Sequence, residues 1–169
     1  MMKPWLLNIL ACPICKEHPL TVYVVKVEKN RLKDKKGLAG ELVAHHQKGV
    51  LSEPSLEPVH NLSKDKTFDQ RLTKARKVFA ALSRQKPEPL DVVPLVEYFH
   101  GLEIIVGALR CEKCERFYPV GSRIESIPEL LPDSGRDQKA DVAFLRKHRK
   151  VLPDVIVTGS KPVALDADG

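Results

Sequence analysis

No apolar run in the 169-residue sequence approaches the 18 or more residues that cross a bilayer, which leaves no candidate transmembrane helix. There is no phosphate-binding glycine loop, no dinucleotide fingerprint and no serine–histidine–aspartate set. The common nucleotide-dependent and hydrolytic chemistries therefore lack their residues. Internal repeats and low-complexity tracts are missing too. The start, Met1 to Leu10, is apolar but short, and runs into Ala11-Cys12-Pro13 without the small-residue cleavage pattern of a secretory signal. A cytoplasmic location is the expectation. Cysteine is scarce at four residues, and in a reducing compartment paired cysteines usually hold metal rather than disulfides.

What is present is ordinary in bulk: 43% hydrophobic and 30% charged residues, as in globular proteins. The length suits one domain, or one domain carrying a large insertion. With 28 basic and 22 acidic residues the net charge is +6, which tolerates acidic partners such as RNA without demanding them.

Pro4 to Leu10 reads as a short helix: Pro4 suits the first helical position, and Trp5/Ile9 and Leu6/Leu10 stand four apart. Leu20 to Val27 is rich in β-branched residues and reads as a strand. From Lys29 to about Asn61, charges with Gly37, Gly40, Gly49, Pro54 and Pro58 suggest loop, with a short element near Glu41 to His45. Between Asp65 and Gln85, Phe68, Leu72, Ala75, Phe79 and Leu82 recur at helical spacing, with Thr67 and Gln70 as a capping box and Lys86 to Pro89 as the stop. A second helix is expected over about Asp91 to Phe99, closed by Gly101. Strands are expected from Ile104 to Arg110 and from Arg116 to Val120. A further edge strand is expected over Ile124 to Leu131, with Pro128 confining it to the edge. Asp137 to Lys150 reads as a helix, and the remainder as an extended or disordered tail.

Cys12-Pro13-Ile14-Cys15 and Cys111-Glu112-Lys113-Cys114 carry the strongest chemistry. Two residues between ligands let a tight turn aim both sulfurs at one ion, and two such turns complete a tetrahedral shell. That shell leaves no position for water or substrate, which makes the implied zinc structural. Disulfides, a redox dithiol and an iron or iron–sulfur site are the alternatives to zinc. His45-His46 lacks partner ligands, and Arg146-Lys147-His148-Arg149-Lys150 is a basic run on the last helix, open to a solvated face or to RNA.

The fold class expected is α+β: a small antiparallel zinc-ribbon sheet from residues 1–28 plus 101–133, a mostly helical insertion over 29–100, and a C-terminal extension over 134–169. Leu6, Leu7, Ile127, Leu130 and Leu131 are more apolar groups than so small a ribbon can bury, which suggests a partner surface.

Met2-Lys3 with Asn8, Leu10 and Cys12, and later Ser126-Ile127-Pro128-Glu129-Leu130-Leu131-Pro132, resemble the zinc-ribbon activator subunit of tRNA, rRNA and release-factor methyltransferases. The resemblance covers roughly residues 2–28 and 104–132. It implies a non-catalytic protein that binds, solubilises and activates Rossmann-like enzymes using S-adenosylmethionine. It also implies a heterodimer formed by strand addition, and RNA is expected as an indirect contact through the partner. Three features depart from the pattern: Ser126 stands where glycine is usual, Gly121-Ser122-Arg123 lengthens a turn, and residues 133–169 extend past the usual end. A zinc ribbon that contacts RNA directly in translation or transcription is the alternative function.

Overall fold

The β-branched run after Leu20 forms strand β1, Thr21–Lys29, which pairs antiparallel with β3, Leu102–Arg110, from Thr21↔Arg110 to Lys29↔Leu102. A register shift falls between Val24 and Lys26. Strand β4, Phe117–Val120, pairs with the end of β3, so that the knuckle Cys111 to Cys114 sits in the turn of a hairpin. A three-residue strand β2, Val59–Asn61, adds to β1 in parallel and completes the order β2-β1-β3-β4. The computed structural model describes residues 2–50, 56–84 and 91–166. Pro54, Gln85 and the helix stop expected at Lys86 to Pro89 lie outside the described residues.

Side chains alternate across a strand, and the two faces of this sheet have different covers. Val22 and Val24 of β1, with Leu109, Tyr118 and Val120, face a core built with helices α1 (Lys35–Gln47), α2 (Lys66–Ser83) and α3 (Val93–Phe99). Phe68, Leu72, Ala75 and Phe79 form the buried stripe of α2, matching the spacing in the sequence. Tyr23, Ala108 and Phe117 face the opposite way and pack against Phe144, Leu145, Leu152, Ile156 and Val157.

That second cover is the C-terminal segment. It contains α4, Gln138–His148, and a four-residue α5, Asp154–Val157. The tail expected to be extended or disordered is thus partly helical and buried. Four residues are too few to show a period, and Val155-Ile156-Val157 is β-branched, so the sequence offers no helical signal there.

Three other expectations are corrected. The segment expected to be loop contains the 13-residue helix α1, which buries only Leu42 fully and carries two glycines, so neither an apolar stripe nor propensity announces it. Helix α2 is capped by Asp65, whose carboxylate accepts from the N–H groups of Thr67 (2.7 Å) and Phe68 (3.1 Å), not by a Thr67–Gln70 box. Ile124 to Leu131 is no regular strand: it holds one antiparallel bridge, Pro128 to Val120, because Ser126 turns the chain at φ 62°.

The N-terminal helix is a 3-10 turn, Pro4–Asn8, with Pro4 inside its first turn. Met2 forms a bridge to Ile104, so the chain start is tied to the sheet.

Candidate metal centre

The two cysteine turns have the same backbone geometry. Lys16 N–H donates to the Cys12 carbonyl and Glu115 N–H to the Cys111 carbonyl, each at 2.9 Å. Cys12 N–H donates to Glu17, and Cys111 N–H to Arg116. Lys16 and Glu115, each following its second cysteine, take left-handed φ values of 63° and 62°. This tight reversal lets both sulfurs of a pair face the same point.

Both pairs meet. The four sulfurs all lie within 4.8 Å of one another, with Cys12–Cys114 at 3.5 Å and Cys15–Cys111 at 3.4 Å. Disulfide sulfurs stand about 2.05 Å apart, so these are thiol contacts. A tetrahedral thiolate shell with bonds of about 2.3 Å has sulfur–sulfur edges of roughly 3.8 Å, and the observed spread brackets that value. Cys12 and Cys111 are buried while Cys15 and Cys114 are half-buried. This is a donor set for one structural zinc ion. Among the described residues no other group of three or more histidine, cysteine or acidic side chains converges.

The surroundings favour thiolate at one sulfur. Burial pushes the Cys12 thiol up, but the N–H groups of Cys15 and Ile14 and the Tyr118 hydroxyl, 3.1 Å away, outweigh it and bring it down to about 6. Burial is also the first cause at Cys111, which it pushes up to about 12 in the absence of metal. The Arg116 guanidinium lies beside Cys114 and is held by Asp133 through bonds of 2.7 to 3.0 Å, which raises its affinity for its proton. Two zinc charges against four thiolates would leave a net −2, toward which this guanidinium, shared with Asp133, turns a positive charge.

Neither Arg116 nor Tyr118 was singled out from sequence. The available signal was period two: Arg116 and Tyr118 are alternate residues leading into and along β4, which puts them on one face, just after the second knuckle. Tyr118→Phe removes the hydroxyl from Cys12 while keeping the ring. Zinc affinity is expected to fall by about 10- to 100-fold, the usual cost of losing a supporting hydrogen bond at a ligand. Competition with a chromogenic chelator measures it, and unchanged affinity would remove Tyr118 from the site.

The residues expected to meet a partner separate. Leu7, 2% exposed, is part of the core, because the 3-10 turn rolls it inward under the sheet; it offers no surface. Leu6 and Leu130 are half-buried against that core. Leu131 is half-buried, and Ile127 is 39% exposed. Ile124, at 66%, is more exposed still. His45 packs on Trp5 (centroids 4.9 Å apart) and His46 on Phe79 (5.4 Å), as ring contacts rather than ligands.

Ser126 has a visible reason for standing where glycine is usual. Its left-handed φ is a conformation that glycine adopts freely. The buried Ser126 hydroxyl accepts from Met2 N–H at 2.7 Å, tying the chain start to the far end of the ribbon.

The backbone of the edge is specific. Gly121 N–H donates to the Ile127 carbonyl and Glu129 N–H to the Pro119 carbonyl. Residues 127 and 129 therefore face β4, and by alternation Pro128 and Leu130 turn their backbone groups outward. Among the described residues, Leu130 N–H and the carbonyls of Pro128 and Leu130 have no hydrogen-bond partner. Further along, Lys161 closes β4 itself, accepting from Phe117 N–H and donating to the Glu115 carbonyl.

Residues 3–121 match the sequence profile of the family described as Trm112p-like protein. No curated protein sequence matches the chain. Among solved structures, similarity is found to a chain of the E. cuniculi Mtq2–Trm112 complex, described as responsible for methylation of the eRF1 translation termination factor. That match has 24% identity and a TM-score of 0.42, and covers 77% of this chain and 95% of that one.

Proposed function

The chain belongs to the Trm112p-like protein family, and from that premise we propose a non-catalytic, zinc-stabilised partner of methyltransferases that use S-adenosylmethionine. The substrates of those enzymes are tRNA, rRNA or release factor. Cys12, Cys15, Cys111 and Cys114 hold the zinc, and a four-thiolate shell has no open position at which the metal could act on a substrate. The heterodimer works in the cytoplasm, where thiols stay reduced; no described helix is long and apolar enough to cross a membrane.

The observation that carries the partner reading is the outward edge at Pro128 to Leu130. An unpaired donor flanked by two acceptors is a template for one more strand, and strand addition draws affinity from such main-chain bonds. Ile127 and Ile124 give the edge an exposed apolar flank, with Leu131 half-buried beside them. β4 is closed by the chain itself, so the partner strand joins the outer side of this segment rather than β4.

Direct RNA binding by the ribbon is not favoured by its surface. Around the knuckles most charges are paired, Lys113 with Glu17, Lys161 with Glu115, and Arg110 with Glu112, while Lys16 folds back onto the Pro13 carbonyl.

An Ile127→Asp substitution tests the interface. An apolar anchor is worth about 2 kcal/mol at the low end of leucine-sized truncations, or roughly 30-fold in affinity. Co-purification with a methyltransferase of the same genome is expected to be lost while zinc stays at one per chain. Undiminished co-purification of this variant and of Leu131→Asp would place the interface elsewhere.

A further inference from the structure

Helix α4 has two unlike sides. Asp141, Phe144 and Leu145 are buried beneath it, while Lys139, Arg146, Lys147 and Lys150 are exposed. Three acidic groups of the extension are engaged close by: Asp133 holds Arg116, Asp141 holds Arg136, and Asp137 caps α4. Among the described residues none of the four outward cations forms an ion pair.

Their spacing makes a line. Lys139, Ala143 and Arg146 stand at i, i+4 and i+7, one stripe of roughly 10 Å at the helical rise, and Lys150 follows in the turn just past the end of α4. Shallow grooves run on both sides of the small Ala143. One is bounded by Lys139, Arg146 and Val163, the other by Ser122, Lys147 and His148. Gly121 and Ser122 begin the turn from β4 toward the edge segment, so the stripe lies beside the proposed partner edge.

We propose that this face of α4 binds the phosphate backbone of an RNA, the substrate carried by the partner; the identity of that RNA as a substrate rests on the methyltransferase reading. Nucleic acid is a dense line of negative charge, and neutralising it releases counterions, which gives affinity without reading sequence. Of the two rings of α4, Phe144 is buried and His148 is half-buried against it, with centroids 4.7 Å apart, so the face presents no fully exposed ring on which a base could stack. The contact therefore positions RNA rather than selecting it. A membrane surface fits poorly, because α4 spends its apolar side on Phe117 and Tyr23 and has none left to insert. The cations of α2 differ: Asp69 is interleaved with them, and they lie on the insertion rather than beside the edge. The stripe also lies wholly beyond residues 3–121, so it is an addition to what the family profile covers.

Fluorescence anisotropy with labelled tRNA and the isolated full chain tests this. Binding is expected at low salt, with log affinity falling against log salt at a slope of about −3 for four contacts. Arg146→Gln is expected to make the slope shallower by about one. Combining Lys139→Gln, Arg146→Gln, Lys147→Gln and Lys150→Gln is expected to weaken binding by about 10-fold or more. Zinc content, thermal unfolding and partner co-purification should stay unchanged, while Lys74→Gln with Lys77→Gln leaves RNA binding intact. Wild-type affinity in both α4 variants, or no tRNA binding by the wild type at low salt, overturns the proposal. Polyglutamate of matched charge competing as well as tRNA also overturns it, in favour of an acidic protein. Failure of the partner reading would register separately, as loss of co-purification by the unmodified chain.

Discussion

Cys111→Ser is expected to release the zinc and remove the cooperative unfolding transition of the ribbon. Cys111 is fully buried at the junction between β3 and the second knuckle, and it has 95 residues between itself and Cys15 (111 − 15 − 1). Closing a loop of that length costs roughly 4 kcal/mol. Structural zinc contributes about 10–16 kcal/mol of apparent binding free energy, which exceeds the loop cost severalfold. A serine hydroxyl is a far weaker ligand than a thiolate, so the remaining three sulfurs would leave one position to water and bind the ion too weakly to retain it. Elemental analysis should fall from one zinc per chain to near zero, with thermal unfolding broadened. Retention of one zinc and a sharp transition would show that the knuckles fold without the metal.

The second large effect is expected at Arg136. Its side chain is 2% exposed and its partner Asp141 5% exposed, with Nε to Oδ2 at 2.9 Å. The same guanidinium donates to the Phe117 carbonyl and lies over the rings of Phe117 (5.0 Å) and Tyr118 (5.3 Å). One side chain thus fastens the C-terminal segment to β4, the strand that supports the metal centre. Arg136→Met leaves the Asp141 carboxylate buried without its counter-charge, at a cost of about 3–5 kcal/mol. Denaturant unfolding should show that loss, and limited proteolysis should cut within residues 134–166. Adding Asp141→Leu to Arg136→Met should recover most of it, because two apolar residues in place of a buried pair are often neutral. A double variant no more stable than the single one would mean that the ring and carbonyl contacts, not the charge pair, hold the segment.

These two sites differ in how readable they were. The cysteine pairs carry their geometry in their spacing, so the convergence of four sulfurs was legible before any fold was known. Helix α2 was legible for the same kind of reason, since Phe68, Leu72, Ala75 and Phe79 repeat a period that only a helix satisfies. Arg136 was not. Nothing local distinguishes it from Arg146 or Arg149; its burial comes from β4, more than fifteen residues away in sequence. Helix α1 was missed because tertiary contact at Leu42 and the Asp34 cap support it rather than an apolar stripe. The edge at Ile127 to Leu131 was placed correctly along the chain but given too much regularity. Its single bridge and the turn at Ser126 depend on Met2 and β4, which no window of sequence brings together. Leu7 shows the reverse error: an apolar helix face read as surplus turned out to be core, because the insertion and the sheet close over it.

The most direct test of the account is methyl transfer from labelled S-adenosylmethionine to tRNA, rRNA and release factor. Three samples would be assayed: a methyltransferase of the same genome alone, this chain alone, and the two co-expressed. The account predicts no turnover by the chain alone, and a soluble one-to-one complex whose activity exceeds that of the enzyme alone. Turnover by the chain alone, or enzyme activity and solubility indifferent to its presence across the methyltransferases of that genome, would contradict it.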